Sequence, residues 1–201
     1  MKFVKTAGRA ALFLLAFTVI CGVLYTAVVT GLSQLLFPQQ ANGSVVTVGG
    51  KTYGSALLGQ EFTGDEYLWG RVMKLDTGTF TDADGNAVLY AWPSNLSPAT
   101  PEYEALVAER VEKLRAANPD MGDAPIPVDL VTCSGSGLDP AVSPAAAEYQ
   151  VSRVAAARGI SEDEVRSAIE TYTTGRFLGL FGEPTVNVLK VNLALDGILE
   201  E

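Results

Sequence analysis

From Ala10 to Leu32 the chain reads AALFLLAFTVICGVLYTAVVTGL, 23 residues without a charge, and no charged residue appears between Arg9 and Lys51. A helix rising about 1.5 Å per residue covers about 34 Å over that run, enough to cross a hydrocarbon core of about 30 Å with some tilt. A cleavable signal core is shorter, about 7–15 residues, and ends in a small-residue cleavage site, which does not follow here. Cys21 raises the alternative of a lipid-modified cysteine, but Ile20 before it is bulky where a small residue would be expected. The expectation is a retained transmembrane helix over residues 10–36, preceded by a basic N-terminus at 1–9. A short connector at 37–44 then leads to a folded domain at 45–201.

Charge orients the span. Lys2, Lys5 and Arg9 lie before it and nothing basic follows until Lys51, so the positive-inside tendency places the N-terminus in the cytoplasm and the main domain outside. The chain is expected to be a single-pass protein of the cell membrane. Beyond the span lie 11 of the 14 basic residues and all 23 acidic ones, a net charge of −12. That balance argues against nucleic acid as a partner, and against docking on anionic lipid through a basic patch. Its plain reading is solubility. Cys21 sits in the span and Cys133 in the outer domain, so the two are not expected to pair, and the chain has no histidine. Ser-His-Asp and Cys-His catalysis and His-ligated zinc are thereby removed.

The outer domain mixes both element types, which predicts an α+β fold. VVTVGGKTYG reads as two short strands about a Gly-Gly turn, and TFTDADGNAVLYAW as a hairpin turning at Asp84-Gly85-Asn86. In an EF-hand register Phe80 and Ala91 would occupy ligand positions one and twelve, so a calcium loop is rejected. Residues 101–117 predict a helix capped by Thr100, with Pro101 in its first turn and an apolar stripe of Tyr103, Leu106, Val107, Val111 and Leu114. IPVDLVT predicts a buried strand. A helix over about 144–158 follows, closed by Gly159, and another over about 162–173, announced by the capping box Ser161/Glu164. VNVLKVNLALDGIL predicts a strand and then a short turn or helix.

Three features invite function. The loop SGSG at 134–137 feeds the helix starting at Pro144, an arrangement that can cradle phosphate. It lacks both the G-x-x-x-x-G-K-[ST] and the G-x-G-x-x-G patterns, however, and Ser143 and Pro144 explain it as a capped turn. On the following helix, Tyr149, Val151 and Val154 offer apolar contact, while Gln150 and Arg153 are left free for polar work; its plain reading is a core-packing helix, and a partner interface is the alternative. In the span, Thr18, Gly22, Thr26 and Thr30 recur every four residues, a small-residue strip suited to packing against another membrane helix. No carboxylate spacing marks a catalytic pair, and the uncharged span gives no relay for ions or protons.

SGSGLDPAVSPAAAEYQVSRVAAARGIS, with TGRFLGLFGEPTVNVLKVNLALD downstream, resembles the C subunit family of the Kdp potassium-transporting ATPases. GSALLGQEF (54–62), YLWGR (67–71) and SNLSPATPEY (94–103) match further family segments in order, so the resemblance covers nearly the whole chain. The chain departs from the family at Val72-Met73-Lys74, in AWPSNLSPATP, and at Ala141, where many members carry histidine.

The resemblance implies a non-catalytic subunit with no stably bound cofactor, ATP and potassium being substrates of the complex. Implied partners are a channel-like potassium-translocating subunit, a P-type ATPase catalytic subunit and a small stabilising subunit, all in the lipid bilayer. It also implies a catalytic chaperone that raises the ATPase subunit's affinity for ATP, with Gln150 as the nucleotide-related position. Ser136, Asp139, Gln150, Arg153, Asn187 and Asn192, which lie in the matching motifs, are expected at a partner interface together with the small-residue strip. An ATP-related residue outside the membrane makes an indirect effect the better expectation. The alternative is a membrane-anchored extracellular ligand-binding or hydrolytic domain.

Overall fold

The computed structural model describes residues 2–76, 78–88, 90–91 and 93–199. The chain forms two units, Met1–Val45 and Val46–Glu201. In the first, helix α1 runs from Lys2 to Leu36, apolar enough and long enough to cross a membrane, with none of its most apolar stretch buried. The helix therefore begins earlier than the expected span and takes in the basic N-terminal residues. Within it Thr18–Tyr25 winds in the wider i→i+5 pattern. A four-residue step overshoots a 3.6-residue turn and undershoots a wider one. The two drifts oppose each other along Thr18, Gly22, Thr26 and Thr30, so the strip runs straighter than on a pure α-helix. The Thr18 and Thr26 hydroxyls donate to Leu14 O (2.8 Å) and Cys21 O (3.3 Å) of their own helix. The one-turn helix α2, Pro38–Ala41, lies in the connector.

The second unit opens with the expected hairpin, β1 (Val45–Val48) paired with β2 (Lys51–Ser55). Gly49 and Gly50 turn it with φ of 58° and 79°, the left-handed pair that a two-residue hairpin requires. The second expected hairpin also forms. Its strands β3 (Leu75–Asp76) and β4 (Tyr90–Ala91) pair antiparallel, and at its tip Asp82 Oδ1 accepts from the Asp84 and Asn86 N–H groups. Helix α3, Pro101–Ala117, starts on Thr100, whose hydroxyl accepts from Tyr103 N.

Residues 126–132 do not form the predicted strand. Pro127 leads instead into a single helical turn, α4 (Val128–Val131), that buries Leu130 and Val131 and leaves Val128 exposed. A run of three or four apolar residues fits a buried turn as well as a strand, and here packing beneath α3 selects the turn.

Strand β5 (Ala141–Val142), strand β6 (Thr173–Thr174) and strand β7 (Thr185–Asn187) make an antiparallel sheet in the order β5-β7-β6. Between β5 and β6 the chain forms α5 (Pro144–Glu148), α6 (Val151–Arg158) and α7 (Glu162–Thr171). The helix expected over 144–158 is thus interrupted at Tyr149-Gln150. Helix α7 carries the expected capping box in full, Ser161 Oγ accepting from Glu164 N while Glu164 Oε2 accepts from Ser161 N at 2.8 Å. After β7, helix α8 (Val188–Leu195) takes most of the segment predicted as a strand. Asn187 caps it by accepting from Lys190 N, and Val188, Leu189, Val191, Asn192 and Leu193 are all buried. The core joins Leu68, Val142, Val154, Val165, Val186 and Val191 between the sheet and these helices.

Candidate functional site

The motif residues converge on YLWGR, residues 67–71, a stretch between two bends that belongs to no helix or strand. In extended backbone the N–H and C=O of one residue point to one side and those of the next to the other. Leu68 is clamped on its side by Asn192. Its N–H donates to Asn192 Oδ1 (2.8 Å) and its C=O accepts from Asn192 Nδ2 (2.9 Å). Trp69 is clamped on the other side by Gln150, through Trp69 N to Oε1 (2.8 Å) and Nε2 to Trp69 O (3.1 Å). Two side-chain amides thus take the place of neighbouring strands, and both residues are 0 % exposed.

The break between α5 and α6 is what turns Gln150 inward. Its own N–H donates to Ala147 O, one residue short of the α-helical partner, and its Nε2 reaches the vacated Ala146 O at 3.0 Å. Arg153, one turn on, is 7 % exposed. Its Nη2 donates to Gln150 Oε1 (2.7 Å), its Nη1 to Asp65 O (2.7 Å) and Tyr67 O (3.1 Å), and its Nε to Asn118 Oδ1 (3.2 Å). The guanidinium carbon lies 4.3 Å from the Trp69 ring centroid, and Lys113 Nζ lies 5.0 Å from it. Burial lowers the Arg153 pKa to about 10, against the opposing pull of Asp65 and Glu66; the group remains a cation at neutral pH.

The expectation that Gln150 and Arg153 stand free is therefore corrected. Every donor and acceptor of the Gln150 amide is used inside the domain, because a buried amide that is not fully bonded costs more than its burial returns. Asn192 is likewise internal, and none of the three offers its polar atoms to a partner surface.

The remaining expected residues lie nearer solvent. Ser136 is exposed and accepts from Leu138 N (3.2 Å). Asp139 accepts from Ala141 N (3.0 Å) and faces Arg71 Nη1 at 3.6 Å. Asn187, half-buried, ties the start of α8 to Ala56 O at 2.8 Å. In the SGSG loop Gly137 N donates to Ser134 Oγ (3.0 Å), and beyond the loop Ser143 N, ahead of α5, donates to the Asp129 carboxylate (2.6 Å). Ser143 caps α5 with Pro144 in its first turn, as expected.

Sequence reasoning missed the centre of this arrangement, Trp69, and its outer brace, Arg158. Arg158 donates to Glu66 O (2.5 Å) and Leu195 O (2.6 Å) and pairs with Asp196 at 2.8 Å. The only signal was YLWGR itself, a short aromatic-rich stretch that looks like ordinary loop. A cleft of about 240 Å³ opens beside it, lined by Phe62, Trp69, Arg71, Glu109, Arg110 and Lys113. The junction of Trp69, Gln150, Arg153 and Asn192 holds no nucleophile beside a base. What it does is fix one backbone segment rigidly between two helices.

Comparison with known proteins bears on this arrangement. A family model described as KdpC, K+-transporting ATPase, c chain, matches residues 7–197. A potassium-transporting ATPase KdpC subunit of Clostridium perfringens is 57% identical over 197 residues, covering 98% of this chain and 100% of the relative. Proteins of the same name from Clostridium botulinum and Sorangium cellulosum are 55% identical over 199 residues and 50% over 188. The first alignment covers 99% of each chain; the second covers 94% of this chain and 95% of the relative.

Proposed function

The chain belongs to the KdpC family of K+-transporting ATPase c chains, an accessory subunit of the Kdp complex, and from that premise we propose that it raises the pump's affinity for ATP without touching the nucleotide. On this reading the span α1 and the outer domain bind one conformation of the pump better than another. A bias of about 1.4 kcal/mol between the two would change an apparent affinity tenfold. The partners are the channel-like potassium-translocating subunit, the P-type ATPase catalytic subunit and the small stabilising subunit. Lys2, Lys5 and Arg9 before the span, with nothing basic until Lys51, support a cytoplasmic N-terminus and an outer domain away from cytoplasmic ATP.

The observation that carries the indirect reading is the placement of Gln150. The residue the family resemblance ties to nucleotide is 0 % exposed, with its amide committed to Trp69, Ala146 and Arg153. It shapes the domain that partners meet and has no free polar atom for a phosphate or a base. The small-residue strip and the exposed Ser136 and half-exposed Asp139 are the proposed contact positions.

Calorimetric titration of the purified full-length chain in mild detergent with ATP tests this. No binding heat is expected, whereas ATPase assays of the complex with and without this chain should differ in apparent ATP affinity. Saturable ATP binding by the chain alone would sink the indirect reading.

A further inference from the structure

Between β6 and β7 the chain reads GRFLGLFGEP, and Phe177, Leu178, Leu180 and Phe181 at its tip are 71, 74, 76 and 63 % exposed. Four large apolar side chains on one short hairpin, outside the core, are a patch that requires an occupant. From this geometry we infer that the tip 177–181 is a membrane-insertion loop that enters the interfacial region of the bilayer crossed by the chain's own span.

Three features favour lipid over a protein surface. The tip pairs four of its five backbone N–H groups within itself: Phe177 N donates to Phe181 O (2.8 Å), Phe181 N to Phe177 O (3.0 Å), Gly179 N to Arg176 O (3.0 Å) and Leu180 N to Phe177 O (3.1 Å). Lipid demands such internal pairing because it offers backbone groups no partner, whereas a protein surface can supply one. The charges that flank the tip, Arg176 and Glu183, pair with each other at 2.6 Å, so the hairpin carries no net charge toward the membrane. Lipid is also the partner that the chain's own long apolar helix, Lys2–Leu36, calls for.

The backbone adds an independent sign. Leu178 holds φ at 53°, a left-handed conformation that disfavours a side chain with a Cβ and suits glycine or asparagine. A leucine kept there places an apolar group at the apex of the hairpin against local preference, as happens where a site needs that group. Insertion of this kind is apolar and does not require the basic patch that the acidic domain lacks.

A tryptophan reporter tests the inference. Phe181→Trp is made in the full chain, reconstituted in phosphatidylcholine vesicles, and its emission is taken over that of the two native tryptophans. Lipids brominated high on their acyl chains are expected to quench about half of the added emission, independently of salt, and aqueous acrylamide to quench little. Adding Phe177→Ser and Leu180→Ser to the reporter chain should reverse both results. A second reporter, Leu180→Trp, guards against one poorly tolerated substitution. Reporters that acrylamide reaches freely and brominated lipid does not quench would overturn the inference. So would reporters shielded from acrylamide only in the assembled pump, without lipid quenching, since that outcome seats a protein on the hairpin.

Discussion

Removing the Gln150 side chain should unfold the domain more than it disturbs any chemistry. Gln150→Ala orphans four groups at once: Trp69 N–H, Trp69 C=O, Ala146 C=O and one arm of the Arg153 guanidinium. Each buried orphan costs about 1–3 kcal/mol, but carbonyls have a second lone pair and a water can enter the space the amide leaves. A net loss of about 3 kcal/mol is the expected outcome, which for a domain of this size lowers the melting midpoint by about 6–12 °C. Gln150→Met separates packing from hydrogen bonding. It keeps the volume and excludes the water, so it should cost at least as much as alanine. Thermal unfolding of the full chain in mild detergent, followed by far-ultraviolet circular dichroism, reads both. An alanine variant melting within about 2 °C of wild type, or a methionine variant more stable than the alanine one, would refute the clamp as the domain's organising contact. On the proposed reading, the functional corollary is that the effect of Gln150→Ala on the pump's ATP affinity falls with the folded fraction and returns on cooling. A fully folded variant that had lost its effect on ATP affinity would restore a direct role for this side chain.

Arg153→Lys keeps the charge but not the fork that serves Asp65 O, Tyr67 O, Asn118 and Gln150 together; denaturant unfolding should show a loss of about 2–3 kcal/mol. Ser161→Ala removes the cap of α7 and should cost about 1 kcal/mol in the same assay, with amide exchange accelerated in the first turn of α7 alone. Acid should destabilise the domain through Asp82 and Glu164, whose pKa values are lowered by hydrogen bonds from Asn86 and from Ser161 respectively. A lowered folded pKa means a contribution present above the unfolded value, 3.8 for Asp82, and lost as pH falls through the folded one. Melting midpoints of Asp82→Asn should accordingly fall less steeply than wild type on acidification below pH of about 4, and equal slopes would contradict the assignment.

What the sequence disclosed and what it withheld follow one physical division. The apolar run, the Gly-Gly hairpin, the Thr100 cap and the Ser161/Glu164 box depend on residues within a few positions of one another, and all of these features appear. The break at Tyr149-Gln150 does not depend on local preference: PAAAEYQVSRVAAAR is helical throughout by propensity. It is imposed from 81 positions away, where Trp69 needs an amide partner and finds one only if Gln150 turns inward. Asn192 shows the same logic across 124 positions with Leu68. A binary reading of apolar inside and polar outside puts these amides on the surface, since their use appears only once the stretch 67–71 is in place beside them.

That placement changes what the family signature signifies. A motif glutamine that met a ligand would be constrained by the ligand's chemistry; one that closes a backbone seam is constrained by the geometry of Trp69 and Arg153. Gln150→Glu tells the two constraints apart. A carboxylate retains the acceptor for Trp69 N and Arg153 but loses the donor to Trp69 O and Ala146 O, so two carbonyls would face a buried anion. The variant should recover stability when its carboxyl is protonated, because the acid form can again donate one hydrogen bond. Its melting midpoint should therefore rise, relative to wild type, as pH is lowered from 8 toward about 5. A nucleotide-contacting glutamine exposed to solvent would show no such rise, since water would solvate the carboxylate at every pH.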